Sequence, residues 1–422
     1  MSPPQPPSHW RSQPLKRLAT EFISGGTPST GRADFWDGDV PWTTSAPIAD
    51  DDVVLSRAQR FITDAGIQGS ASHLVPRGSL LVGTRVGVGK AVVNEVDIAI
   101  SQDLTGVVID SRQAETQFLA YQFKVERVRG FFDARSRGTT IKGVSRFDLE
   151  RLDLWLPPLP EQRAIARALR AVQEAKEARQ RELALERERK ATLMEFLFAH
   201  GTRGEPGRQT ESGEIPESWE EVRLGRLVAD GPQNGLYKPA EAYGEGTPII
   251  RINDFDNDGT LSSGQLNRVR LSNQEVGRYR VNGGDILLNR VNSLSHLGKS
   301  VLVPRLAEPT VFESNMMRFH VDESVALPEY VACYLVTERC KARMRGMAKL
   351  AVAQCSINQA DVQSLLLPLP PVSEQGEVTS VLRACDKKIE ALNKESDMLD
   401  ELFHAMLEEL MTGRLCAVPL IE

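Results

Sequence analysis

The stretch LWLPPLPEQ at residues 154–162 returns as LLLPLPPVSEQ at residues 365–375. Proline cannot continue the interior of a helix or a strand, so each stretch predicts a domain boundary. A long helical pattern follows each boundary, and a region rich in short β-type runs precedes it. The chain is therefore predicted to contain one kind of unit twice, with each copy followed by a long helix.

Further matches between the two halves extend outward from these stretches, at a shift that drifts only from about 205 to 213 residues. A period of about half the chain is too long for a solenoid, so it indicates duplication of a whole domain with its trailing helix. We therefore expect an approximate two-fold arrangement inside the chain. In chain order, the matched pairs are Trp10 with Trp219, Leu15 with Leu224, Leu18 with Leu227, Pro41 with Pro248, Gly78–Leu81 with Gly284–Leu287, Arg85 with Arg290, Gly89-Lys90 with Gly298-Lys299, Phe118-Leu119 with Tyr330-Val331, Arg127 with Arg339, and Asp148-Leu149 with Asp361-Val362.

The composition is that of a globular protein with room for two cores, since 41% of the 422 residues are hydrophobic and 26% are charged. The net charge of −6 argues against a uniformly basic nucleic-acid binder. However, residues 369–422 alone hold 5 basic and 11 acidic side chains, so much of the acidity belongs to the last segment. No apolar run is long enough for a membrane span or a signal peptide, and we expect a cytoplasmic protein. The five cysteines form no C-x-x-C pair, which favours reduced thiols over a zinc site.

The predicted fold class is α+β, with two similar globular domains of mixed sheet plus helices. Two long antiparallel coiled-coil helices separate the domains and give the chain internal pseudo-two-fold symmetry. Within the domains, single helices are expected over 115–132 and 328–347. The predicted boundaries are 1–157 for the first domain, 158–200 for the first long helix, 201–215 for a linker, 216–369 for the second domain and 370–414 for the second long helix.

Apolar residues in the second long helix alternate at spacings of four and three, which predicts a coiled-coil seam. The equivalent positions in the first helix are apolar at both ends but mostly charged in the middle. There we expect alanines to carry part of the contact, namely Ala171, Ala175, Ala178, Ala184 and Ala191. The predicted seam residues are Ile165, Leu169, Val172, Leu193, Leu197, Val378, Leu382, Ile389, Leu392, Leu399, Phe403, Met406 and Leu410.

Basic and amide side chains cluster at equivalent places in the two copies. Arginine suits guanine, asparagine and glutamine suit adenine, and lysine neutralises phosphate, so these clusters predict DNA contact. The alternative is an ordinary solvated surface. The candidate DNA-binding residues are Thr43, Thr44, Ser45, Arg85, Lys90, Arg135, Arg137, Thr139 and Lys142 in the first copy, and Arg251, Asn253, Arg290, Asn292, Lys299, Arg343, Arg345, Lys349 and Gln354 in the second.

Other motifs point to no chemistry within the chain. Gly298-Lys299-Ser300 ends like a phosphate-binding loop, but Ser293 stands where that loop needs a glycine. The six histidines show no metal-ligand spacing, and no catalytic set is found. We therefore predict no catalytic, cofactor-binding or metal-binding residues.

The paired units, each closed by a proline run, Glu-Gln and a long helix, resemble the specificity subunit of Type I restriction–modification systems. The resemblance extends from about Trp10 to Leu415. It implies two target-recognition domains that read a bipartite site in double-stranded DNA, with the helices as a spacer between half-sites. It also implies docking of two methyltransferase subunits that carry S-adenosylmethionine. Restriction subunits, if they join, would use ATP and magnesium.

Two other functions remain open at this stage. One is a standalone DNA-modifying enzyme with an unrecognised site, and activity of the purified chain alone would favour it. The other is a coiled-coil scaffold for proteins, which would show no salt-dependent affinity for duplex DNA.

Overall fold

The computed structural model describes residues 6–136, 143–262, 264–350 and 354–417. The chain forms two compact units: unit 1 is Met1–Gln180 with Lys394–Glu422, and unit 2 is Arg181–Asn393. Each unit therefore contains one end of both long helices, whereas the boundaries predicted above set the helices apart from the globular domains.

The first half of the chain contributes short strands followed by helices. Its strands are β1 (Arg11–Pro14), β2 (Ala19–Ser24), β3 (Trp36–Thr43), β4 (Val54–Leu55), β5 (Arg60–Ile62), β6 (Leu74–Val75), β7 (Leu80–Gly83), β8 (Ala91–Asn94), β9 (Ile98–Ile100), β10 (Leu104–Ile109) and β11 (Asp153–Leu156). Its helices are α1 (Leu15–Leu18), α2 (Asp64–Gln68), α3 (Thr116–Gln122), α4 (Glu126–Arg135), α5 (Arg146–Glu150) and the long α6 (Leu159–His200), with a 3₁₀ turn at Ala33–Phe35.

The second half follows the same order, with additions. Its strands are β12 (Gly207–Thr210), β13 (Gly213–Pro216), β14 (Glu220–Arg223), β15 (Val228–Asn234), β16 (Tyr243–Ile250), β17 (Asn267–Val269), β18 (Arg280–Val281), β19 (Ile286–Asn289), β20 (Val291–Asn292), β21 (Ser300–Leu302), β22 (Thr310–Phe312), β23 (Met316–Val321), β24 (Lys349–Leu350), β25 (Cys355–Ser356) and β26 (Leu366–Leu369). Its helices are α7 (Asn273–Tyr279), α8 (Pro328–Leu335), α9 (Glu338–Met347), α10 (Gln359–Gln363) and the long α11 (Val372–Met411), with 3₁₀ turns at Leu224–Arg226 and Ala240–Ala242.

Two sheets form the frame of each unit; both are mixed in unit 1, whereas in unit 2 one is antiparallel and the other is mixed. In unit 1 the strand orders are β2-β10-β7-β8-β4 and β5-β3-β9-β6, and in unit 2 they are β15-β23-β19-β21 and β17-β16-β22-β18. The parallel pair β3–β9 corresponds to β16–β22, while β1–β11 corresponds to β14–β26. The duplicated α+β architecture predicted from the sequence is therefore present at the level of strand order.

The two central strands, β7 and β19, are buried on both faces. Leu80 and Val82 face a core that includes Phe118 of α3, whereas Leu81 packs in a separate cluster with Val92. Strands covered on both sides are continuously apolar rather than alternating. This explains why Gly78–Leu81 and Gly284–Leu287 stand out in the sequence as matched apolar runs.

The single helix expected before each boundary is two helices, so that prediction was wrong. In unit 1 the chain leaves the helix after α3 and resumes at α4, because Val125 adopts an extended backbone with ψ 148°. In unit 2 the Thr337 side chain accepts a hydrogen bond from Cys340 N and starts α9. A new N-cap satisfies otherwise free N–H groups, so the helical periodicity continues while the helix axis changes.

The Glu-Gln pair explains why the proline run and the long helix recur together. The Gln162 side chain accepts from Glu115 N at 2.9 Å and donates to Pro157 O at 2.9 Å. Gln375 accepts from Leu327 N at 2.7 Å and donates to Pro370 O at 2.9 Å. Each buried glutamine therefore joins the start of a long helix to the start of α3 or α8.

The long helices pair antiparallel within each unit. All predicted seam residues are buried or half-buried. In unit 1, Lys176 of α6 pairs with Asp400 of α11. In unit 2, the Lys388 ammonium lies 3.3 Å from Glu182 and 3.4 Å from Glu186.

The charged middle of α6 is therefore part of the helix pair through ion pairs. The alanines expected to replace it are exposed, so that prediction was wrong: Ala171, Ala175, Ala178, Ala184 and Ala191. Ion-pairing side chains such as Lys176 contact α11 in this part of the helix instead.

The segment predicted as a linker, 201–215, contains most of a β-hairpin, in which β12 pairs with β13 from Gly207↔Pro216 to Thr210↔Gly213. Its start is also held in place, because Thr202 N donates to the buried Glu374 side chain at 3.1 Å. Glu374 further accepts from Trp219 Nε1 at 3.2 Å, so the end of α6 is attached to unit 2.

Candidate nucleic-acid interface

A lysine supports the loop that follows β3 in unit 1 and β16 in unit 2, the strands that form the parallel pairs. Lys90 Nζ donates to Ile48 O at 2.7 Å, and Lys299 Nζ donates to Ile252 O at 2.6 Å. Lys299 also lies 4.6 Å from the Phe255 ring centroid. The repeated Gly-Lys pair therefore holds a loop in place, which accounts for its recurrence whether or not it also contacts DNA.

The surroundings of these lysines are partly neutralised. Lys90 lies 3.1 Å from Asp50, and its hydrogen bond lowers the pKa of that carboxyl group. Lys124 donates to the carbonyl oxygens of Asp50 and Asp52, both at 2.6 Å. Burial lowers the pKa of Lys124 to about 8. In unit 2, burial is the largest influence on Lys299 and lowers its pKa.

The loop residues proposed for base contact in unit 1 are largely enclosed. Thr43 and Ser45 are buried, and the Ser45 hydroxyl has no hydrogen-bond partner within the described ranges. Thr44 is half-buried and donates to Gln59 Oε1 at 2.8 Å. These side chains therefore pack within the loop and present little surface for contact with DNA.

The equivalent loop of unit 2 is more open. Asn253 is exposed, whereas Arg251 is half-buried and lies 3.4 Å from Glu313. The Glu313 carboxylate also accepts from Ile252 N at 2.7 Å and so fixes the loop backbone. Of the loop residues predicted to bind DNA, Thr43, Thr44, Ser45 and Arg251 are buried or half-buried, and Asn253 is exposed.

The match of Arg85 with Arg290 was wrong by one residue. Thr84 N donates to Asp103 O and Arg290 N donates to Asn315 O, both at 2.8 Å. The next segments agree as well, because Val144 N donates to Thr84 O and Ile357 N donates to Arg290 O. Arg290 is thus equivalent to Thr84, and Arg85 is equivalent to Val291.

That one-residue offset changes the surroundings of the two arginines. Arg85 is exposed, and within the described residues its guanidinium has no hydrogen bond or ion pair. Arg290 is half-buried, donates to Ser314 O at 3.3 Å, and has a buried Nε without an acceptor among the described residues. Its neighbour Asn292 is half-buried, and its side chain accepts from Ser293 N at 2.8 Å.

The basic helix of unit 2 is only partly free. Arg345 lies 3.1 Å from Glu338, while Arg343 is half-buried and has no hydrogen bond or ion pair to the described part of the chain. Lys349 and Gln354 are exposed on either side of residues 351–353. Lys349 and Gln354 thus provide an exposed cation and an exposed amide, the combination predicted from the sequence.

The basic helix of unit 1 divides into structural and accessible residues. Arg127 donates to Asp153 O at 2.9 Å and stacks 4.4 Å from the Trp155 ring, so it supports the fold. Arg129 is exposed, and so is Arg135, which stacks 3.9 Å from the Phe131 ring. The remaining predicted residues of this cluster, Arg137, Thr139 and Lys142, lie outside the described residues.

Sequence reasoning missed the turn after β2 as part of this surface. A Cβ on Gly25 would lie 2.1 Å from Ser101 O, and one on Gly235 would lie 2.2 Å from Glu313 O. Close backbone approach therefore requires glycine in both units. Gly25 and Gly235 match at a shift of 210 residues, within the range of the repeat. The repeat in the sequence could therefore have identified this turn.

In the described ranges, no group of three or more histidine, cysteine, aspartate or glutamate side chains could hold a metal ion. Among the described helices, none is long and apolar enough to cross a membrane.

Comparison with known proteins identifies the repeated unit. The family described as Type I restriction modification DNA specificity domain matches residues 7–187 and again residues 216–401. The chain is 22% identical over 433 residues to the Type I restriction enzyme MjaIX specificity subunit of Methanocaldococcus jannaschii, covering 97% of this chain and 94% of that protein. It is 24% identical over 333 residues to the EcoKI specificity subunit of Escherichia coli, covering 74% and 68%.

A further match, 31% identical over 206 residues, is to the MjaX protein of M. jannaschii, provisionally assigned as a specificity subunit. It spans 49% of this chain and about half of that relative's length, 48%. Among solved structures, the fold resembles a chain of a type I R-M system, with a TM-score of 0.59, 16% identity and coverage of 98% and 100%. It also resembles the S subunit from M. genitalium, with a TM-score of 0.58, 14% identity and 97% of each chain covered.

Proposed function

The chain belongs to the Type I restriction modification DNA specificity family and is a specificity subunit, and from that premise we propose that it recognises a bipartite site in duplex DNA. Each unit recognises one half-site, and the paired helices determine the spacing between the halves. The chemistry is carried out by partner methyltransferase subunits, which supply S-adenosylmethionine, so this chain selects the site without acting on it.

The duplicated frame is the observation that carries the proposal. Leu81↔Gly106 in unit 1 and Leu287↔Arg318 in unit 2 occupy the same ladder position of equivalent sheets. Two copies of one frame can present two recognition surfaces, and a different set of surface side chains gives each copy its own base preference.

Local cations support DNA contact despite the negative net charge. Arg85, Arg129 and Arg135 in unit 1 and Lys349 in unit 2 are exposed. Phosphate contacts hold a protein on the duplex, while arginine and amide side chains discriminate bases. The acidic balance of residues 369–422 suits protein contact better than DNA contact.

A repeated docking surface supports two copies of the methyltransferase subunit. Leu185 of α6 and Met398 of α11 each lie 23 residues after the glutamine of their Glu-Gln pair. They are 66% and 59% exposed, so each long helix leaves a large apolar side chain exposed at the equivalent position. Equivalent exposed positions predict equivalent contacts, and restriction subunits join such a complex where the cell makes them. Native mass spectrometry of the purified complex should then show two methyltransferase subunits for each copy of this chain.

The function is tested by sequencing DNA methylation in cells with and without this gene. We expect one split motif to lose methylation on deletion and to regain it when the gene is restored. Replacing unit 2 residues 216–369 by those of a relative should change one half of the motif only. An unchanged set of methylated motifs after deletion would contradict the proposal, and a change in both halves after the replacement would contradict the assignment of one half-site to each unit.

A further inference from the structure

A cleft of about 370 Å³ opens at one end of the β2-β10-β7-β8-β4 sheet of unit 1. Four segments converge on it: the turn after β2, the end of β7, the turn before β10, and the segment entering α5. Its polar lining includes Ser24, Thr84, Arg85, Gln102, Ser145 and Arg146.

The walls of the cleft are held by backbone hydrogen bonds. Thr84 N donates to Asp103 O at 2.8 Å, and Val144 N donates to Thr84 O at 2.8 Å. The β2 turn is fixed by Gly26 N, which donates to Ile100 O at 2.9 Å. Side chains that extend from such a frame start from defined positions, which recognition of a base edge requires.

Arg85 and Gln102, which line this cleft, have hydrogen-bond donors without an acceptor among the described residues. In the described part of the chain, the exposed Arg85 guanidinium has no hydrogen bond or ion pair. Gln102 uses Oε1 to accept from Thr27 Oγ1 at 2.6 Å, while its Nε2 donates to none of the described residues. Arg146 is already engaged, because its Nε lies 3.0 Å from Glu150.

Unit 2 places a side chain of its own at the equivalent position. Arg290, the equivalent of Thr84, reaches Ser314 O at 3.3 Å, and Ser314 is the equivalent of Gln102. The arginine side chain therefore fills this space in unit 2, whereas the shorter Thr84 side chain leaves it open in unit 1. In unit 1 the corresponding space is part of the cleft.

From these observations we infer that the cleft of unit 1 recognises the major-groove edge of a guanine, with Arg85 as the main donor and Gln102 Nε2 beside it. Guanine presents two acceptors there, N7 and O6, and the arginine fork matches both. Phosphate is the alternative partner for the same fork, and lysine separates the two because it neutralises phosphate but cannot bond both acceptors of guanine. The inference rests on the proposed function and adds a specific base contact to it.

The test compares three variants in the complete complex with its methyltransferase partner. Arg85→Ala should lower discrimination at one G·C pair by roughly tenfold to a hundredfold, confined to one half-site. Arg85→Lys keeps the charge but not the fork, so it should relax the same position. Arg112→Ala is the matched control, because Arg112 is 86% exposed, pairs with Asp110 and lies beyond the far end of β10.

Two measurements give the outcome: the methylated motif in cells, and competition binding of the purified complex against duplexes substituted at one base pair at a time. Relaxation of one guanine in both Arg85 variants, with Arg112→Ala unchanged, supports the inference. Retained discrimination at every position, or uniformly weaker binding that Arg85→Lys restores, overturns it and indicates a phosphate contact or none. Methylation of a split motif by the wild-type complex tests the proposed function separately, so the two can fail independently.

Discussion

Unit 1 and unit 2 share strand order and ladder register but differ in the side chains that fill the shared frame. At one equivalent position unit 1 has Gly106, where a Cβ would lie 2.6 Å from the Val75 side chain. Unit 2 has the buried Arg318 there, which lies 2.8 Å from Asp230 and 3.3 Å from Asp285. The backbone pairing survives such an exchange because its hydrogen bonds do not involve the side chains.

The long helices differ between the units in the same way. Phe403 in unit 1 and Lys190 in unit 2 each lie 28 residues after the glutamine of their Glu-Gln pair. Phe403 is buried, with its ring 6.2 Å from that of Tyr121, whereas Lys190 pairs with Asp386. Duplicated positions can therefore stabilise their units by unrelated means, and the following substitutions test how far that difference extends.

The largest expected effect comes from Phe403→Ala, which should destabilise unit 1 by about 3–5 kcal/mol because it empties a buried aromatic site. The equivalent Lys190→Ala should cost unit 2 only about 0.2–1 kcal/mol, since it removes a partly screened ion pair. Hydrogen exchange of peptides from each unit measures both effects. Leu402→Ala is the control, because Leu402 neighbours Phe403 but is 46% exposed. Equal losses for Phe403→Ala and Lys190→Ala would contradict the contrast.

A somewhat smaller effect is expected from Arg318→Met, about 3 kcal/mol in unit 2, because it leaves the buried Asp285 carboxylate without its guanidinium. Adding Asp285→Ser, which supplies the residue that unit 1 has as Ser79, should recover at least about 1 kcal/mol. Hydrogen exchange in β19 and β23 measures both variants. Arg268→Met serves as a control, because its pair with Glu308 is partly exposed. If adding Asp285→Ser increases the loss of stability caused by Arg318→Met, the ion cluster is not the origin of that loss.

The smallest effect concerns pH and Asp400 in the helix pair of unit 1. The hydrogen bond from Lys176 lowers the pKa of Asp400, so the folded state favours its charged form. This contribution is present above the unfolded pKa of about 3.9 and is lost as pH falls through the lower folded pKa. Asp400→Asn should therefore cost roughly 0.2–1 kcal/mol at neutral pH and progressively less in acid.

Thermal unfolding of wild type and Asp400→Asn between neutral pH and pH 3 measures this difference. Glu401→Gln is the control, because Glu401 is an exposed neighbour on the same helix. A difference between Asp400→Asn and wild type that stays constant with pH would show that the ion pair is not its cause.

Much of the frame could be predicted because duplication leaves a signal in spacing. Matched apolar runs, the proline boundaries and the Glu-Gln pairs all recur, and the buried Gln162 and Gln375 make equivalent contacts. The interface was harder to predict. Lys90 and Lys299 looked like solvent-facing cations in the sequence, but each has a carbonyl acceptor within its own unit. Charge in a sequence does not reveal which cations already have partners inside the fold.

The sequence by itself determined the duplication, the α+β class, the two long helices and the family resemblance, because periodicity and spacing depend only on the order of residues along the chain. Tertiary structure decided the one-residue offset between Arg85 and Arg290, the ion pairs that join the charged middle of α6 to α11, and the cleft beside Thr84. Each of these depends on which distant segments meet. Hydrogen bonds and burial act over a few ångströms in space, and separation along the chain does not specify that distance.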